Sequence, residues 1–337
     1  LPWQWNGAGN SEPITVHPHA GITPNAFYSR SQKVLKFFAF TPQAKPGDPP
    51  PAQVFTCRSF DIVAHECGHA ILDGLKPGWL TSGNTPQTGG LHEAFGDIAA
   101  IFLALSQMDQ VEAIIAQTKA DLHKKNFLAD VAEQFGMALG RTNGLRNADN
   151  DLKLSQVSTE VHAISQIFTG GIYDVLADIF AFEQRPHLKD DAAVLYEVGQ
   201  YMTGLLLRAI IACPASNATY ADVVNQMLAA SAADGKPQEY RDFIKNRFVE
   251  REVLTTNVMG EQEGAQMFEA AITDEPGAVQ DRSGCCGTMI RTEYTEDATM
   301  YDGYVAELEH SFEVEKDIFE ARDTKGVVDL TEERARG

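Results

Sequence analysis

The chain has 337 residues, 44% of them hydrophobic, and 47 Asp and Glu against 27 Lys and Arg give a formal net charge of -20. That length and apolar content allow one large or two ordinary globular domains. The negative balance argues against nucleic acid and anionic membrane as partners, since both would repel it, and no apolar run approaches the roughly 18 residues of a spanning helix.

The five cysteines (Cys57, Cys67, Cys213, Cys285, Cys286) are an odd set with an adjacent pair, a poor disulfide framework that favours a reducing, cytoplasmic setting. The first residue is Leu1 rather than Met, which keeps processing and export open.

Residues 1–24 are rich in Pro, Gly and aromatics without a helical period and read as an irregular lead-in. Two strands are expected next, one around Asn25 to Tyr28 and one over Val34 to Phe40. Thr41 to Ala52 is too rich in proline for regular structure, and Val54 to Cys57 reads as a last short strand. This part supplies a small sheet with an edge that can grip a peptide backbone.

Ser59 to Asp73 contains His65-Glu66-Cys67-Gly68-His69, the H-E-x-x-H pattern. On a helix this spacing stacks His65 and His69 on one face with Glu66 beside them, two zinc donors and an adjacent base. Ser59 as N-cap, Asp61 in the first turn and the Gly74 to Gly78 turn signals support that helix. Cys67 points off the histidine face and reads as a small packed side chain.

After a turn-rich link, Gly90 to Ala100 forms a second helical run with Glu93 and Asp97 four apart. Catalytic zinc takes three protein donors and keeps a fourth position for water, and His65, His69 and Glu93 make such a His2Glu set. Asp97 falls where it can accept the second N–H of a ligand histidine. Zinc is expected at one per chain, since no second cluster has suitable spacing.

Helical periodicity continues from Leu91 to about Leu139 and breaks over 140–151. Helices are expected over His162 to Glu183, Asp191 to Ala212, Tyr220 to Ala233 and Glu239 to Val249. Residues 251–337 hold 21 acids against 8 Lys and Arg and read as a solvated appendage of unknown role, whose Cys285-Cys286 thiols are candidate soft ligands.

The zinc helix and the run His92-Glu93-Ala94-Phe95-Gly96-Asp97-Ile98 resemble the thermolysin family of zinc peptidases, the gluzincins. Three further segments are similar to that family and occur in its order. Asn25-Ala26-Phe27-Tyr28 resembles its substrate-binding edge strand, with Asn25 and Ala26 holding the peptide. Gly144-Leu145-Arg146-Asn147 resembles the segment whose arginine orients the substrate carbonyl. Val161-His162 resembles the segment whose histidine donates to the transition state.

The resemblance implies an α+β fold: a sheet-bearing lobe over 1–75 ending in the zinc helix, a mainly helical lobe over 76–250, and the site between them. It implies peptide or protein substrates, with Ile62 and Leu145 lining an apolar pocket just after the cut. Glu66 would be the base, with His162 and Arg146 steadying the oxyanion. The sequence departs from the family in four places. No tyrosine lies between His69 and Glu93, where Trp79 is the one large aromatic. Val157 stands where an acid would orient the histidine, and Glu160 is the nearest carboxylate. His92 replaces an asparagine. Most of the paired-calcium cluster is missing, with Ala104 at one of its positions, so calcium is not implied.

Two rival readings are a zinc-bearing protein that binds partners without cleaving them and an aminopeptidase, although the latter's glycine-methionine-glutamate signature is absent before the zinc helix. Oligomeric state leaves no sequence signal.

Overall fold

In the computed structural model of this protein, residues 13–42, 51–132, 136 and 144–255 are described. The Cys285-Cys286 pair, the first twelve residues and all of the acidic segment beyond 255 lie outside them. The described chain is α+β, mostly helical with small sheets.

β1 (Thr15–His17), β2 (Ala26–Ser29) and β3 (Val34–Phe37) form a three-stranded sheet in the order β1-β3-β2. β2 is an edge strand, antiparallel to β3 with Ala26 opposite Phe37. The expected single strand over Val34 to Phe40 is broken. Phe38 N–H donates to Thr56 Oγ1 at 2.9 Å, and Phe38 O accepts from Thr56 N at 2.9 Å, so the chain leaves the first sheet there. β4 (Ala39–Phe40) then pairs with β5 (Val54–Phe55). A side-chain hydroxyl competing for a backbone donor has no periodic signature, which is why the break could not be read from the sequence.

A single 3₁₀ turn, Thr56–Arg58, leads into α1 (Phe60–Leu75). Ser59 occupies the N-cap position, but its hydroxyl does not cap the helix. It donates to Asp61 Oδ1 at 2.5 Å, and that oxygen also accepts Ile62 N–H at 3.0 Å. α2 (Pro86–Leu105) starts conventionally, with Thr85 accepting Thr88 N–H and Pro86 in the first turn, where its missing N–H costs nothing. It is buried along nearly all of its length and packs on α1, on the helix that follows it and on three later ones: α4 (Val161–Glu183), α5 (Asp191–Ala212) and α6 (Tyr220–Ala233).

α3 (Met108–Thr118) ends sooner than the helical period suggested. Lys119 and Ala120 both take positive φ, 54° and 59°, which stops the helix. Asp130–Val131 is instead a strand, β6, paired antiparallel with β7 (Arg146–Asn147). α7 (Gln238–Glu250) closes against α4 and α6. There Gly170 and Gly171 face Arg251 and Phe248, contacts that leave no room for a Cβ.

The buried apolar residues divide into two clusters. The larger joins Leu72 and Trp79 to α2 through α7; the smaller joins Tyr28, Leu35 and Phe37 to Ile62, Ala70, Val131 and Leu145. α1 contributes to both, so its histidine face lies at their seam. A fully buried Leu, Ile or Phe contributes about 1.5–3 kcal/mol, so both cores hold α1 firmly.

Candidate metal centre

α1 and α2 cross closely at two glycines. A Cβ on Gly68 would lie 3.0 Å from Gly96 Cα, and one on Gly96 would lie 2.6 Å from His65 Nδ1. Glycine at 96 therefore makes room for the imidazole, and the close approach brings Glu93 up to the two histidines.

His65, His69 and Glu93 are each buried and place one donor atom apiece within 4.8 Å of one another. The Nε2 atoms of His65 and His69 are 3.0 Å apart. Glu93 Oε2 lies 3.6 Å from His65 Nε2, and Glu93 Oε1 lies 3.7 Å from His69 Nε2. Tetrahedral zinc with bonds of about 2.0–2.2 Å separates its donors by roughly 3.3–3.5 Å, and the two histidine nitrogens, each faced by a different Glu93 oxygen, are spaced close to that. Both Glu93 oxygens are buried without a hydrogen-bond donor among the described residues. Burying a carboxylate so costs more than the roughly 1–3 kcal/mol of an unsatisfied neutral group, and a cation there would offset it. The donor set thus fits zinc on chemistry and on geometry.

The far sides of the rings are held too. His65 Nδ1–H donates to Asp97 Oδ1 at 2.8 Å, directing its Nε2 lone pair at the cluster. Arg146 donates twice to Asp97, at 2.9 Å from Nε and 2.7 Å from the terminal nitrogen. Burial pushes the Asp97 carboxyl up, but Arg146 and His65 outweigh it and hold the group well below the usual carboxylate range. Burial, with the neighbouring histidines, depresses His69 far below its ordinary value. It is therefore neutral near pH 7, the form a metal needs.

Glu66 is fully buried, and its Oε2 accepts Tyr28 N–H at 2.9 Å, so this carboxylate is tied to β2. The same tyrosine's hydroxyl donates to Asp73 Oδ2 at 2.6 Å, and Arg30 pairs with Asp73 as well. β2 and α1 are thus stapled twice, through Glu66 and through Asp73.

Ala26, Ile62 and Leu145 meet, with Val131, around a small and mainly apolar cavity of ≈ 20 Å³ that also touches His65, Glu66 and Arg146. Asn25 is buried, and its Oδ1 accepts its neighbour Ala26 N–H at 2.8 Å while its Nδ2 meets no acceptor among the described residues.

His162 comes to the cluster from α4, with Nε2 3.5 Å from Glu93 Oε2. Glu160 orients it, accepting from His162 Nδ1 at 2.6 Å while its other oxygen caps α4 by accepting the N–H groups of His162 and Ala163. Burial would raise Glu160, but the His162 charge and these hydrogen bonds hold it below the ordinary glutamate range. The sequence signal was available: an acid two residues before a helix-opening histidine is an N-cap able to reach that ring.

Trp79 has no place in the site. It is fully buried and donates through Nε1 to Pro214 O at 2.9 Å.

A second group, His123, Asp149 and Asp174, also gathers donors within 4.8 Å of one another. The three residues come from distant stretches of chain, so no spacing announced them. Their contacts are already answered: His123 bonds Asp149 at 2.8 Å, and Asp174 pairs with Arg251 at 2.8 Å.

Compared with protein-family models and with curated proteins, the chain matches none. Its function rests on the site itself.

Proposed function

We propose that this chain is a zinc-dependent peptidase of the thermolysin type that cuts within peptides before an apolar residue. The observation that carries the reading is the buried convergence of His65 Nε2, His69 Nε2 and Glu93, with Glu66 one residue along the same helix. Bound zinc would lower the pKa of a water towards about 7 and polarise the scissile carbonyl.

Glu66 takes a proton from the attacking water and returns it to the departing amide nitrogen as the C–N bond breaks. Tyr28 N–H holds the carboxylate in place for both transfers. With Nδ1–H given to Glu160, His162 donates to the developing oxyanion from Nε2 when the ring carries both protons. Arg146, braced on Asp97, borders the small apolar cavity, which would have to widen to take the residue after the cut.

The test is a peptide-library digest with metal analysis, run with and without chelator. Cleavage before apolar residues that stops when zinc is removed and returns with zinc is the expected result; cleavage unaffected by metal removal would overturn the reading.

Glu160 separates anchoring from catalysis. Glu160→Gln keeps a cap acceptor and loses the charge, so kcat is expected to fall while thermal stability stays near wild type. Glu160→Ala removes the cap as well and should cost about 1 kcal/mol more. Equal kcat in wild type and Glu160→Gln would remove the pair from the mechanism.

A further inference from the structure

We propose that substrates of this chain carry a lysine or arginine beyond the apolar residue that follows the cut, and that its side chain seats in a groove beside the start of α1. The inference rests on the peptidase reading for the course of the bound peptide; the groove stands on its own geometry.

The groove encloses ≈ 480 Å³ between the start of α1, the last turns of α2, the start of α3 and the stretch that runs into β6. That volume is in the range of ligand sites, whereas the apolar cavity beside the metal centre holds ≈ 20 Å³. The two share Asp61 and Val131. A peptide held with one side chain towards the cavity therefore brings its next residues to the groove, advancing about 3.3–3.4 Å per extended residue.

Ile101, Ala104 and Phe127 give the groove an apolar lining, and half-exposed Phe60 adds to it. Asp61, Asp109 and Asp130 bring three carboxylates, and no Lys, Arg or His is among the lining residues. Apolar wall and unmatched negative charge together suit one side-chain chemistry, a long aliphatic stem that ends in a cation.

Asp130 carries the most weight. It is only 5% exposed, Asn147 Nδ2 donates to its Oδ1 at 2.7 Å, and its other oxygen meets no donor among the described residues. Burial pushes its carboxyl up, and Asn147 and Lys125 draw it only part of the way back. A buried carboxylate with one oxygen unanswered is costly, and an incoming ammonium or guanidinium would answer it. Asp61 already accepts from Ser59 and from Ile62 N–H, so it adds charge to the groove.

The test uses peptides with an apolar residue after the cut and a single lysine moved through the positions beyond it, each matched by a peptide with norleucine in that place. Norleucine keeps the stem and drops the ammonium. Binding is read by fluorescence anisotropy on zinc-replete, full-length Glu66→Gln, and kcat/KM is read on wild type. At one position, or two adjacent ones, lysine should bind about three- to tenfold more tightly than norleucine, and the advantage should shrink as salt is raised. Adding Asp109→Asn and Asp130→Asn together should bring the ratio to about one. Asparagine at 130 can still accept from Asn147, so the contact now made there is kept. Should that chain not fold, Asp109→Lys at an exposed position decides, and it should make lysine the weaker binder.

Equal binding of lysine and norleucine at every position, or an advantage that survives these variants, would overturn the proposal. So would its loss on adding millimolar calcium at constant ionic strength, which would give the groove to a metal ion. If wild type cleaves nothing while lysine still binds better and the variants abolish the difference, the peptidase reading fails and the groove stands. If peptides are cut with no preference for lysine, the groove fails and the peptidase reading stands. A chain that neither binds nor cuts any of them defeats both.

Discussion

Glu66→Gln is expected to retain zinc at the wild-type level and to lose about a hundredfold to ten-thousandfold in turnover, the usual cost of removing a general base. Glutamine has the size of glutamate, and its amide oxygen can still accept Tyr28 N–H, the bond now made at 2.9 Å. The junction of β2 with α1 therefore survives, and so do the three donors, none of which is Glu66. What is lost is the ability to take a proton from water. Metal content and steady-state rates on one peptide, measured on the same preparations, check this. A partner-binding protein that does not cleave would show no catalytic rate in either form and the same affinity for its partner in both. If wild type cleaves and a zinc-replete Glu66→Gln cleaves equally fast, Glu66 is not the base and the mechanism argued above is wrong.

The parts of this site that were legible in the sequence are those written at helical spacing. His65 and His69 are four apart, as are Glu93 and Asp97, and a period of 3.6 puts each pair on one face whatever the rest of the chain does. What no periodicity could show is how closely the two helices approach. That depends on Gly68 and Gly96, each of which reads alone as a mild helix breaker and together with its partner as the contact that brings Glu93 to the histidines. The orienting groups were harder still. Asp97 lies one turn after Glu93 and was readable. Glu160 was readable only as the nearest carboxylate to His162; that one side chain both caps α4 and holds the ring shows only in the fold. Strand breaks set by single side chains, such as Thr56 at Phe38, leave no trace in hydropathy at all. The β6–β7 pair joins short stretches 15 residues apart, and its two-residue strands are too brief to alternate visibly.

Replacing Glu93 by methionine should make the order of stabilities depend on zinc. Methionine keeps an unbranched side chain of nearly the same length and removes both carboxylate oxygens, which are buried without hydrogen-bond donors among the described residues. With chelator present, wild type bears the cost of that carboxylate, whose oxygens lie 3.5–3.7 Å from Nε2 of His65, His69 and His162. Exchanging an unsatisfied buried group for an apolar one of similar shape is close to neutral or stabilising, so metal-free Glu93→Met should unfold at the same denaturant concentration as wild type or slightly higher. Adding zinc reverses the order. An ion that binds only the folded state stabilises it by about 4 kcal/mol at a thousand times its dissociation constant, and wild type should gain on that scale. Glu93→Met, left with two donors, should gain far less at the same zinc concentration and lose peptidase activity with the metal. Urea unfolding of both proteins with chelator and with zinc measures all four states. A variant that gained as much from zinc as wild type would remove Glu93 from the donor set, and a wild type indifferent to zinc would remove the metal from this site altogether.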